Sequence, residues 1–565
     1  MRLRRKAPPH PGPLPGGEGA GLLLGLILAW LVAYPLLLTL AEALGSPNWT
    51  LSHFAEFLRR PDEWRALWGS LWISLATTAL AAAIGVPLAF LFERTEFPGR
   101  RMLGTLIALP VVLPPLVGVI AFLFLYGEGG FLSRAVQAAA RSAEPPWRLS
   151  GPAAILLVHA YTMFVYFYLF TRAGLARLDA AFLEAAAALG AGRARVLRKV
   201  TLPLLRPALA GAALLTFMTS LGSFSAPYLM GGTFRVMTTQ IVFSRLNGDT
   251  EMAMVETITL AALALVGLSF LQRAEKRREV AGAIRGAAPG RRQLARGVLV
   301  ATSGWIFAAL LLLPHATLLL LSFVPAGTWT TQLLPPVFSI SNWRSVFSEP
   351  ERLRPIVNSL WMAAAATAGA LLLGFAAADT AVRRRSRTGP VLETLLALPW
   401  ALPGTVFAVA FAAAFSKNAP WAGRFVLVGT AAILPLAYLA RNLPLTGRAA
   451  FAGLRQLDPA LEEAAASLGA SPWRRRLRVT LPLIAPALSA GVALAFLTAL
   501  GDFVVSIVLY TFETRPISIE ILSSLRMTET GVAAAYGVLL ALLSAVVFLV
   551  WGARSTDDAR ARPPG

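Results

Sequence analysis

Apolar residues run along this chain in blocks of roughly 20, the length of helix that crosses the hydrocarbon core of a bilayer, and short polar segments separate them. Blocks near 21–44, 67–92, 104–126, 151–173, 207–230 and 252–271 fill the first half, and blocks near 298–323, 357–381, 390–415, 423–441, 485–510 and 531–552 fill the second. The pattern predicts an all-α membrane protein of about 12 transmembrane helices, arranged six and six. A basic stretch precedes the first block as in a signal peptide, but no small-residue cleavage site follows, so that block is expected to remain as an anchor.

Polar positions set the expected orientation. Arg2, Arg4, Arg5 and Lys6 precede the first block; Arg94, Arg100 and Arg101 lie between the second and third; Arg383, Arg384, Arg385 and Arg387 hold the matching place later. Cytoplasmic loops carry the excess of Lys and Arg, so these segments are expected inside. The linker with Arg273, Lys276, Arg277 and Arg278 and the tail after Arg554 then fall on the same side. Both termini are expected to be cytoplasmic.

The two halves repeat each other. Gly69-Ser-Leu-Trp72 matches Asn358-Ser-Leu-Trp361, and Ala108-Leu-Pro110 with Leu113-Pro114 matches Ala397-Leu-Pro399 with Leu402-Pro403, at an offset of 289. Beyond a longer outside segment around 124–150 the offset falls to 279, and Phe217, Thr219, Leu221, Gly222 and Phe224 stand opposite Phe496, Thr498, Leu500, Gly501 and Phe503. An even number of spans per copy makes this a parallel duplication about an axis along the membrane normal. The expected organisation is a disordered basic, Pro/Gly-rich tail (1–20), a first repeat (21–272), a basic cytoplasmic linker (273–297), a second repeat (298–552) and a cytoplasmic tail (553–565).

Composition narrows the classes. With 56% hydrophobic and 14% charged residues the chain holds more apolar surface than a water-soluble fold could hide. A net charge of +22 raises nucleic acid as a partner, but the arginines sit in the short segments between apolar blocks, so the expected partner is the lipid bilayer and not nucleic acid. The absence of cysteine excludes disulfides, thiolate metal sites and a Cys nucleophile. No Gly-Lys-Ser or Gly-Lys-Thr phosphate loop, His-Glu-x-x-His pair or Gly-x-Ser-x-Gly elbow occurs, so no catalytic residue, cofactor or metal site is expected. His159 and His315 are expected to be hydrogen-bonded packing residues rather than ligands.

The closest internal match is a polar loop: Glu184-Ala185-Ala186, Gly190, Val200 and Leu202-Pro203 in the first half, Glu463-Ala464-Ala465, Gly469, Val479 and Leu481-Pro482 in the second, with identical spacing. Each of 179–189 and 458–468 opens on an Asp suited to cap a helix and is rich in Ala, so a short surface helix is expected, ended by the Gly in a left-handed conformation. Small residues on such a knob let another protein approach closely. The pattern resembles the cytoplasmic EAA loop of ABC importer permeases: Glu-Ala-Ala, three residues, Gly, nine residues, Ile, any residue, Leu-Pro. Val200 and Val479 replace the Ile.

The resemblance covers 64–272 and 353–552, and the whole is similar to two permease subunits fused, as in ferric-iron and thiamine importers. It implies the type I ABC importer permease fold, a bacterial inner-membrane location, docking of each loop in a cleft of an ATP-hydrolysing subunit, two copies of that subunit, and a periplasmic substrate-binding protein. Ferric iron is the solute that Leu396-Ala-Leu-Pro-Trp-Ala-Leu-Pro-Gly-Thr405, Leu500-Gly-Asp-Phe-Val504 and Arg515-Pro-Ile-Ser518 favour; thiamine, phosphonate and polyamine importers share the architecture. An ion-coupled secondary transporter is the rival class, and would need charges spread through several spans.

Polar groups inside spans mark candidate solute paths. Ser223 and Asp502, each beside a Gly, together with Thr219 and Thr498, are the candidates, lying where a parallel duplication places its binding surface. For Asp502 a second reading stands beside this one: a carboxylate near the outer boundary that bonds backbone freed by Gly501. Arg235, Arg245, Arg515 and Arg526, in the outside segments 231–249 and 513–529, are candidates for docking a soluble binding protein.

Overall fold

The structure, a computed structural model, describes residues 17–112, 114–281, 293–294, 297–329, 332–383, 388–418 and 423–560. Arg2, Arg4, Arg5, Lys6, Arg384, Arg385, Arg387 and linker positions 282–292 lie outside the described residues, as does most of the expected tail 1–20.

Apolar blocks become helices because a bilayer leaves backbone N–H and C=O groups no partner but one another. Among the described residues ten helices are long and apolar enough to cross a membrane, and Gly389–Ala401 with Gly404–Ala414, bent by 111°, makes an eleventh candidate. The tenth block, 423–441, departs from expectation. Residues 423–432 form turns and extended chain, and the helix is Ile433–Gln456, which carries Arg441, Arg448 and Arg455. Basic residues lower its hydropathy, so the apolar pattern placed the span too early; Ile433, Leu434, Ala437, Leu443 and Ala450 are nonetheless fully buried against neighbouring helices.

Two further blocks are interrupted at the same places in both halves. The block at 104–126 is split into Arg100–Val112 and Pro115–Tyr126, and that at 390–415 into Gly389–Ala401 and Gly404–Ala414. Proline supplies no N–H and biases the residue before it away from the helix, so Pro114 and Pro403 end one segment and open the next. The expected spans 207–230 and 485–510 likewise stop at Gly222 and Gly501, giving Leu202–Leu221 then Ser225–Met230, and Leu481–Leu500 then Val504–Leu509.

Element bounds repeat along with the sequence. Pro61–Arg94 answers Pro350–Arg383, Leu202–Leu221 answers Leu481–Leu500, and Met237–Leu246 answers Ile517–Arg526. In each half the long helix packs on the helix before the polar loop (Gly151–Ala176 or Ile433–Gln456) and on the one after it.

The halves are joined by exchange. Helices Gly17–Leu28 and Tyr34–Ala43 pack on Gly389–Ala401 and Gly404–Ala414 of the second half, with the Trp30 ring 5.2 Å from Phe415. Gly297–Leu321 packs on Pro115–Tyr126 and Arg100–Val112 of the first half, where Tyr161 Oη donates to the Leu311 carbonyl at 2.6 Å. The glycine bends meet the opposite proline breaks: a Cβ on Gly222 would lie 3.6 Å from Pro403, and one on Gly501 would lie 2.8 Å from Pro114 Cβ. Phe224 and Phe503, equivalent residues, are both buried with ring centres 5.6 Å apart. One element has no counterpart in the apolar pattern: Thr95–Glu96 pairs in parallel with Gln293–Leu294 of the linker.

Candidate functional site

Both polar loops fold as the sequence predicts. Asp179 Oδ1 accepts from Ala181 N at 2.9 Å and Asp458 Oδ1 from Ala460 N at 3.0 Å, capping helices Ala180–Ala188 and Pro459–Ser467. Each helix ends in a pair of backbone bonds: Gly190 N to Ala187 O and Ala191 N to Ala186 O in one, Gly469 N to Ala466 O and Ala470 N to Ala465 O in the other. This closure needs a residue with positive φ, and Gly190 and Gly469 have φ of 77° and 80°. A Cβ on either would meet nothing within 4 Å, so the glycines border open space.

Glu184, Ala185, Glu463 and Ala464 are exposed, Ala186 and Ala465 half-exposed. Leu189 and Leu468 are 88% and 89% exposed, which makes each loop a protruding knob with an apolar tip. Leu202-Pro203 and Leu481-Pro482 open the spans that follow, each after a single π-helical turn. Helix runs unbroken through both prolines, and because Pro has no N–H to give the turn before it, the regular ladder gives way there to the π turn.

The loops differ in what holds them. In the second half Arg383 pairs with both Glu462 and Asp379 and donates to Thr480 Oγ1 at 2.9 Å, Arg476 lies 3.0 Å from Asp379, and Thr480 Oγ1 donates to Glu462 at 2.5 Å. In the first half Phe90, Leu183 and Leu197 stand at the positions of Asp379, Glu462 and Arg476, and Arg94 reaches Thr201 Oγ1 at 3.4 Å.

Between the halves lies a cavity of about 470 Å³. It is lined from the first half by His159, Thr162, Tyr166, Thr219 and Ser223, and from the second by Trp400, the Leu402-Pro403-Gly404 break, Arg441 and Arg448. Of the four expected path residues, Thr219 and Ser223 line it; Asp502 and Thr498 do not. Thr498 Oγ1 bonds back to the Leu494 carbonyl at 2.7 Å, the common resting place of a helical Thr in lipid.

The contacts of Asp502 are to backbone and to Arg441. Its side chain is 3% exposed, its Oδ1 accepts from Val505 N at 2.7 Å where the helix restarts after Gly501, and its Oδ2 pairs with Arg441. Its carbonyl accepts from Ser518 Oγ at 2.8 Å, so the residue ties down the backbone that the glycine frees. The equivalent position in the first half, Ser223, has its Oγ 2.9 Å from His159 Nε2, while His159 Nδ1 meets Ser220 and Thr77 hydroxyls at 3.1 and 3.2 Å. His159 is a fully bonded packing residue, and His315 lies 3.2 Å from Tyr161 Oη. Among the described residues no group of three or more His, Cys, Asp or Glu side chains is placed to hold a metal ion.

Sequence reasoning missed Arg441 and Arg448. The signal was present as basic residues seven apart, Arg441, Arg448 and Arg455, which share one face of a helix; the span had been placed too early to include two of them.

A doubled bundle of membrane-crossing helices, with a cavity between the halves and two matched knobs at one end, is the architecture of a solute permease. The binding-protein-dependent transport system inner membrane component family matches the chain at 81–280 and again at 370–553. The chain belongs to this family and carries it twice, as a fused ABC importer permease rather than a catalytic subunit. It is 32% identical over 548 residues to a probable ABC transporter permease protein, y4fN, of Sinorhizobium fredii, covering 93% of this chain and 95% of that one. It is 26% identical to the ferric transport system permease protein FbpB of Actinobacillus pleuropneumoniae over 86% of this chain and 70% of that one. The thiamine transport system permease protein ThiP of Brucella abortus is 28% identical over 45% of this chain and 46% of its own.

Proposed function

We propose that this chain moves a solute from a periplasmic binding protein into the cytoplasm of a bacterium, driven by two ATPase subunits that dock on its two knobs. The observation that carries the reading is the pair of identically spaced, identically closed and exposed loops around Gly190 and Gly469. Glu184, Ala185 and Ala186, with Glu463, Ala464 and Ala465, form the faces that enter the ATPase clefts, and Leu202-Pro203 and Leu481-Pro482 pass the motion to the spans that line the cavity. Closure of the ATPases on ATP draws the knobs together and rocks the halves between outward-open and inward-open states. Helix exchange between the halves supports such a rocking unit, since neither half can leave the other. Both termini and the linker lie on the cytoplasmic side.

Ferric iron is the solute we favour, because the similarity to the ferric permease spans most of the chain and that to the thiamine permease less than half. The test is ATP hydrolysis by the chain reconstituted with its ATPase and with binding proteins loaded with ferric iron, thiamine or polyamine in turn. Stimulation by the iron-loaded protein, abolished by bulky substitution at Gly190 and Gly469, supports both the coupling and the cargo. Uptake that collapses with the proton gradient and needs no ATPase would replace the importer with a secondary transporter.

A further inference from the structure

We propose that the cavity between the halves takes an anionic solute, with Arg448 as the side chain that meets it. This rests on the importer reading and specifies the charge of the cargo. Iron, as the favoured cargo, then crosses as a complex whose ligands leave it negative.

In a membrane protein an ionisable side chain faces a water-filled cavity or is paired, and an unpaired one at a cavity marks a solute path. The residues that line the cavity include two arginines and no carboxylate or lysine. Arg441 is neutralised by Asp502, which stands behind the wall. Arg455, two heptads further along the helix, pairs with Glu393 at 3.0 Å. Arg448, between them, is an exposed side chain at the cavity's open side, has no carboxylate within ion-pair distance among the described residues and lies over the exposed Trp400 ring, 4.8 Å from its centre.

A ring face steadies a guanidinium without cancelling its charge and without occupying its N–H groups, which point outward in the guanidinium's own plane. On the opposite wall Thr162 and Thr219 donate their hydroxyl protons to the Val158 and Leu215 carbonyls at 2.9 and 2.8 Å, and Ser223 lies 2.9 Å from His159 Nε2, so Arg448 is the group left to donate to an oxyanion or carboxylate. Free ferric ion or cationic thiamine would meet a guanidinium with nothing to offset it. The positive charge comes from one half alone, since Thr162 and Leu169 occupy the equivalent positions of Arg441 and Arg448.

The test is equilibrium binding to the purified full chain in phosphatidylcholine nanodiscs, with citrate, ferric citrate, inorganic phosphate and thiamine as probes. Ferric citrate or citrate should bind, Arg448→Gln should weaken that binding by about tenfold or more, and Arg448→Lys should retain part of it. Thiamine should not bind. Both variants must elute and melt as the parent does. The inference is overturned if none of the anions binds, if Arg448→Gln binds them as the parent does, or if thiamine binds as tightly. It is also overturned if phosphatidylglycerol in the disc displaces every soluble anion, which would assign Arg448 to lipid headgroups. Failure of the importer reading shows separately, as absence of a co-purifying ATPase.

Discussion

The first and second halves fold alike and are charged differently. Helix ends, glycine bends, proline breaks and knob closures recur at fixed offsets, whereas the ion pairs do not. At equivalent positions the first half has His159, Thr162 and Ser223, and the second has Tyr438, Arg441 and Asp502. The first knob rests on one long Arg94–Thr201 contact, and the second on a cluster of two carboxylates and two arginines. What the duplication keeps is backbone geometry, because each half must close against the other. What it lets diverge is the chemistry facing solute and partner, which needs only one copy of each charge.

The largest effect should come from the buried pair. Asp502→Ala strands Arg441 and uncaps the helix after Gly501, so the purified chain should lose about 3–5 kcal/mol, while Ser223→Ala at the equivalent position should cost only about 1 kcal/mol. Thermal unfolding followed by tryptophan fluorescence separates the two; equal losses would erase the contrast between halves. Next comes the knob anchor. Arg383→Ala removes the cation of Glu462 and leaves Asp379 with Arg476 alone, at a partly exposed boundary, and should cost about 2 kcal/mol, and Arg94→Ala should stay within about 0.5 kcal/mol of the parent. Limited proteolysis of the two loops should show the second becoming cleavable in Arg383→Ala and the first unchanged in Arg94→Ala.

A third comparison concerns the meeting of bends and breaks. Gly501→Ala drives a Cβ to within 2.8 Å of Pro114, whereas Gly222→Ala makes ordinary contact with Pro403. The former should cost about 1–3 kcal/mol and the latter close to nothing, read as melting temperatures. Alike in both halves should be Gly190→Ala and Gly469→Ala, where only the positive φ is strained, at about 1 kcal/mol each.

Much of this was legible in the sequence for physical reasons. Most blocks of bilayer length become helices, since lipid leaves the backbone no other partner, and the knobs follow from Asp179, Asp458, Gly190 and Gly469 through bonds that span five residues or fewer. Exchange of the first helices left no local pattern, since Trp30 and Phe415 meet across the whole chain. Ile433–Gln456 was misplaced because hydropathy averages a charged face with a buried one, which hid the arginines of the cavity wall. Pro114 and Pro403 were visible as a repeated motif, but their use as breaks that receive the opposite Gly501 and Gly222 depends on tertiary contact. Asp502 could be read two ways until its partner Arg441 was placed.

If each half carries one working knob, the native mass of the complex purified with the ATPase subunit should show two ATPase copies per chain, falling to one when either Gly190 or Gly469 is replaced by a bulky residue and to none when both are. A wild-type complex with a single copy or none would contradict it.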